Sequence, residues 1–67
     1  MPNWEVVDRQ RITEVMQRVN DKTNSVQDMD YLFDVFAQVQ GVRLDRNCGS
    51  CVVSVVKTFN NKLREWT

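Results

Sequence analysis

Three separate stretches of this sequence repeat apolar residues at intervals of three and four, and that spacing restricts the chain to helices packed on one another. In the first stretch Ile12, Val15, Met16 and Val19 follow the i, i+3, i+4, i+7 spacing of one helical face. In the second, Met29, Leu32, Phe33, Phe36 and Val39 form a stripe that Val26, Val35 and Ala37 widen to roughly half the circumference. The third carries Cys48, Val52, Val55, Val56, Phe59, Leu63 and Trp66 on one face. Its run Val52-Val53-Ser54-Val55-Val56 has strong strand preference, but Phe59, Leu63 and Trp66 continue the pattern at spacings that alternation does not produce.

Capping residues punctuate these stripes. Asn3 is a candidate cap for a first helix over residues 4–20, with Trp4 on the core face, Val7 at its edge and Val6 left pointing away. The turn formers Asp21-Lys22-Thr23-Asn24 follow. Ser25 with Asp28 three residues later resembles a capping box, placing a carboxylate in the positively polarised first turn of a second helix over 25–40. Gly41 then supplies the residue that most easily takes positive φ, and Val42 is placed to close a contact back onto that helix. An extended connection through Val42, Arg43, Leu44 and Asp45 leads to Asn47, the expected cap of a third helix over 48–65. The expected architecture is all-α, a three-helix bundle in a single domain spanning 1–67, with connections of about four and seven residues.

Composition narrows the function classes. A chain of 67 residues can hide only about 60% of the surface its unfolded form exposes, so its core is marginal and a docking partner would be a useful helper. The hydrophobic share of 42% and charged share of 27% are those of a globular domain, and no run of about 18 apolar residues is present to span a membrane. Without a basic and then apolar leader, the expected compartment is the host cytoplasm or a particle assembled there.

Nine basic and nine acidic residues cancel, so no global field draws the chain to nucleic acid or anionic lipid. Residues 34–67 are mildly basic, and Arg43, Arg46, Lys57, Lys62 and Arg64 could edge the third helix. The long connection before that helix does not suit a helix-turn-helix, and no aromatic platform for single strands is interleaved with these charges. The carboxylates Glu5, Asp8, Asp21, Asp28 and Asp30 read as caps and solvated positions. There is no histidine, which removes His-based triads, and no glycine-rich loop for phosphates. No cofactor is expected, and no catalytic residue is assigned.

Asn47-Cys48-Gly49-Ser50-Cys51 is the one chemical lead, because it sets two thiols one turn apart at a helix start, where backbone donors favour a thiolate. Such a pair can exchange disulfides, although a thioredoxin-type enzyme needs a βαβ scaffold and a proline opposite the motif, and Pro2 is the only proline. It can also supply two zinc ligands, so Cys48 and Cys51 are candidate metal ligands only in a dimer that completes a four-cysteine site. The plainer reading packs Cys48 as a small apolar residue of the third stripe with Cys51 beside it.

The same residues carry a resemblance. The string Asn47-Cys48-Gly49-Ser50-Cys51-Val52-Val53, opening a helix that ends Asn61-Lys62-Leu63-Arg64, resembles the carboxyl-terminal part of small proteins encoded by tailed bacteriophages. The resemblance covers only about the last 20 residues and implies a phage origin and a place in the virion as a minor or auxiliary structural component. It implies no catalytic residue.

Trp4, Val6, Tyr31, Val53 and Trp66 fall off the core stripes or at the chain ends and are the expected interaction surface. The resulting expectation is a non-enzymatic module for protein–protein interaction or self-association. The alternatives are a thiol redox or intersubunit zinc protein, and a small regulator binding a host protein or DNA.

Overall fold

The computed structural model describes residues 3–67 and shows three α-helices, each in contact with the other two. Met1 and Pro2 lie outside the described residues. Helix α1 runs Arg9–Asn20, α2 runs Val26–Gln40 and α3 runs Gly49–Trp66. No strand occurs among the described residues, so the all-α bundle holds.

The amino-terminal segment departs from the expected continuous helix over 4–20. Asn3 does act as a cap, but of a single 3-10 turn, Trp4–Val6, its side chain accepting from the Glu5 N–H. Val7 is extended at φ −91° and ψ 154°, and Asp8 starts α1 afresh by accepting from the Arg11 N–H at 3.1 Å. The break exchanges one continuous helix for two capped starts. It also lets Trp4 fold down onto α3 while the Asn3 N–H donates to the Val39 carbonyl at the end of α2.

Helix α1 ends in a Schellman motif: Thr23 N–H donates to Arg18 O at 2.8 Å and Lys22 N–H to Val19 O at 3.1 Å. The motif needs a left-handed residue, and Lys22 occupies it at φ 62°. Ser25 caps α2 in a complete capping box, accepting from the Asp28 N–H while the Asp28 carboxylate accepts from the Ser25 N–H. Gly41 closes α2 at φ 73°, but Val42 is 53% exposed and does not return to the helix. Leu44 fastens the connection over the core instead.

At the start of α3 the cap is Cys48 rather than Asn47. Asp45 bends the chain first, accepting from the Asn47 N–H through its side chain at 2.8 Å and from the Cys48 N–H through its carbonyl. That turn occupies Asn47 and shifts the cap by one position.

The core is Ile12, Val15 and Met16 from α1, Leu32, Phe33, Val35 and Val39 from α2, and Val55 and Phe59 from α3. Complete burial of each such side chain is worth roughly 1.5–3 kcal/mol, which is why the three stripes close on one another. Polar links hold the ends: Asn20 and Asn60 exchange reciprocal amide hydrogen bonds at 3.0 and 3.3 Å, and Arg18 forks onto Asp28 at 2.8 and 2.9 Å. Among the described residues no buried side-chain polar atom lacks a partner, and no helix is long and apolar enough to cross a membrane.

Candidate functional site

Two features of α3 carry chemistry, the thiol pair at its start and the apolar face along its outer side. Cys48 is the helix cap, so its Sγ accepts from the Cys51 N–H at 3.3 Å and lies 3.3 Å from Ser50 Oγ. Both thiols are free and half-buried. The expected stripe position of Cys48 is corrected here: its sulfur serves the backbone of the first turn, and the core members of α3 begin further along the helix.

The two sulfurs are electrostatically unequal. A hydrogen bond from the Cys51 thiol, then the Ser50 hydroxyl and the Cys51 N–H, draw the Cys48 thiol below its ordinary value. Donating that bond, together with burial and the nearby charge of Cys48, pushes the Cys51 thiol up. A thiolate is therefore favoured on Cys48 over Cys51. No group of three or more cysteine or carboxylate side chains converges among the described residues, so any metal on this pair would need further ligands from elsewhere.

The apolar face consists of two hollows that share Val52 and Val56 as a common wall. The first, about 530 Å³, lies between the end of α1, the start of α2 and the start of α3, with Val19, Val26, Met29 and Phe33 on its other sides. The second, also about 530 Å³, runs along α3 past Val53, Lys57, Asn60 and Arg64. Val26 is 68% exposed and Val53 is 65% exposed, so both stand at the rim with their methyl groups in solvent. Val26 was expected to widen the buried stripe of α2. Its position beside the cap puts it past the end of α1, where no helix remains to cover it.

No carboxylate lines either hollow, whereas Arg46, Lys57 and Arg64 do. Arg46 is paired with Asp30. Lys57 and Arg64 make no ion pair among the described residues. Of the other expected basic-edge residues, Arg43 pairs with Asp34 and Lys62 with Glu65, each at 3.3 Å.

The five expected contact residues do not form one surface. Trp4 and Trp66 meet edge to face, centroids 6.1 Å apart, and Trp4 also packs its edge against Phe59 at 5.6 Å. Lys62 stands over Trp4 and Arg9 over Trp66, which covers part of each indole with a cation. Tyr31 is half-buried beneath the Arg11 guanidinium, 4.2 Å from its centroid, and burial raises its phenol above the ordinary value. Val6 is 68% exposed on the 3-10 turn, and only Val53 belongs to the apolar face of α3. Lys57 and Arg64 belong to the expected basic edge, whereas Val26 and Met29 were not expected at a surface. A helical wheel ranks Val26 and Met29 as core, and only the arrangement of neighbours leaves them facing a hollow.

No protein-family model, curated protein or solved structure matches this chain.

Proposed function

We propose that this protein is a non-enzymatic interaction module that receives an acidic amphipathic segment of a partner protein on the α3 face. The observation that carries the reading is the continuous apolar face formed by Val26, Met29, Val52, Val53 and Val56, bordered by basic side chains and free of lining carboxylates. Apolar side chains spaced along a helix would enter the two hollows, and carboxylates on its flanks would meet Lys57 and Arg64. Burying one rim valine at such a contact is worth roughly 1.5–3 kcal/mol, a substantial gain for a domain of this size. Following the resemblance of about the last 20 residues, the proposed assembly is a tailed-phage particle in which the module is a minor or auxiliary structural component.

The test uses isotope-labelled protein and two synthetic helical peptides with the same leucine spacing, one with glutamate and the other with lysine at the remaining positions. The acidic peptide should shift the amide resonances of Val26, Met29, Val52, Val53 and Val56, and the basic peptide should leave them in place. Val53→Asp and Lys57→Glu should each remove the response while the circular dichroism spectrum is unchanged. Equal responses to both peptides, or shifts confined to other faces, would overturn the reading. Concentration-dependent broadening of the same resonances without peptide would assign the face to a second copy of the chain instead.

A further inference from the structure

We propose that Cys48 and Cys51 form a reversible dithiol–disulfide couple that exchanges with low-molecular-weight disulfides, Cys48 attacking first and Cys51 resolving. The inference is independent of the docking face and rests on the placement of two free, half-buried sulfurs within one turn. Residues three apart across a helical turn have Cα atoms about 5 Å apart. That falls inside the ~4.4–6.8 Å that a disulfide bridges. Cys48 is the cap and Gly49 and Ser50 are helical, so the first turn of α3 already holds this spacing. At Gly49 the turn is open, since a Cβ built there would meet no atom within 4 Å.

The division of labour follows from the hydrogen bonds. Cys48 Sγ is the acceptor at the helix start, receiving from the Cys51 N–H and lying against the Ser50 hydroxyl, an arrangement that stabilises negative charge on that sulfur. Cys51 sits inside the first turn and spends its own N–H on the Cys48 sulfur. The bond to Cys48 and burial push the Cys51 thiol up, and they outweigh the Asp45 backbone, which favours a thiolate there.

The chemistry balances as two exchanges. The Cys48 thiolate attacks one sulfur of an R–S–S–R disulfide, forming a Cys48–S–S–R bond and releasing one thiolate, RS⁻. Cys51 then gives up its proton and its thiolate attacks the Cys48 sulfur, forming the Cys48–Cys51 bond and releasing the second RS⁻. The pair loses two electrons and two protons, and the external disulfide becomes two thiols.

The experiment equilibrates the full chain in glutathione buffers of graded reduced-to-oxidised ratio, quenches with acid, alkylates the remaining thiols and reads the mass. A single step from a doubly alkylated chain to an unalkylated one, two hydrogens lighter than the reduced protein and without a persistent glutathione adduct, is expected. Cys51→Ser should accumulate the adduct on Cys48, and Cys48→Ser should react about tenfold more slowly at Cys51. Serine at position 48 keeps an oxygen for the Cys51 N–H, so that variant retains the cap. Two alkylated thiols at every ratio, persistent mixed disulfides in the unaltered chain, or equal rates for the two single variants would each overturn the proposal. If a variant loses its helical spectrum, limited alkylation of the unaltered chain decides the order, with Cys48 expected to be labelled first and Cys51-first labelling overturning it.

Discussion

Replacing Trp4 by alanine tests whether the segment before α1 is a structural part of the bundle. Trp4 is mostly buried against Phe59 and Trp66, so at least about two thirds of the ~200 Å² of a tryptophan side chain is withdrawn from water. At ~25 cal/mol per Å² that area contributes about 3.3 kcal/mol. The two edge-to-face contacts add about 0.5–1.5 kcal/mol each. These contributions overlap, and we take about 4 kcal/mol as the expected loss for Trp4→Ala. A domain of 67 residues has a total stability of roughly 3–10 kcal/mol, so the variant should be marginal. Its Tm should fall by about 16–32 °C, at about 4–8 °C per kcal/mol for a chain of this length.

Reversible urea and thermal unfolding followed by far-ultraviolet circular dichroism measures this directly. Trp4→Phe, which keeps a ring at the contact, should recover about half of the loss. A double-mutant cycle with Trp66→Ala should show a coupling of about 0.5–1.5 kcal/mol, the energy of one edge-to-face pair. A loss below about 1 kcal/mol for Trp4→Ala, or additivity within ~0.3 kcal/mol in the cycle, would refute the docked arrangement of residues 3–7.

Three further outcomes follow from the caps and ion pairs. The fork from Arg18, followed by the Ser25 N–H, holds the Asp28 carboxyl below its ordinary value, so its stabilisation is complete above the unfolded carboxylate range and is lost as pH falls through the lower folded value. Asp28→Asn should therefore have a lower Tm than the unaltered chain at pH 7, and the gap in a Tm-against-pH series should narrow only below about pH 4. A gap that persists unchanged to about pH 2 would contradict the assignment. Lys22 pays the left-handed conformation that glycine takes freely, so Lys22→Gly should raise stability by about 1 kcal/mol in urea unfolding. Gly41→Ala should lower it by about 1 kcal/mol through its φ alone, since a Cβ there meets nothing, and Gly41→Asn should lose less.

The sequence by itself determined the number of helices, their class and most of the core. Ile12, Val15 and Met16, Leu32, Phe33 and Val39, and Val55 and Phe59 were all placed inside by period alone, because a stripe at 3.6 spacing has one way to leave water. The capping box at Ser25 and Asp28 and the left-handed Gly41 were equally legible, since both are local chemistry resolved within one turn.

What the tertiary structure decided lies where two local solutions compete or where a neighbour is missing. Asn3 and Asp8 are both competent caps, and packing of Trp4 on Phe59 and Trp66 selects the broken start over a continuous helix. Asn47 and Cys48 are adjacent candidates, and the bend made by Asp45 gives the cap to the sulfur. A helical wheel measures angle around one axis and carries no record of where the other helices end. For that reason Val26 appeared as core and stands in solvent, while Trp4 and Trp66, read as an open surface, cover each other at the edge of the core.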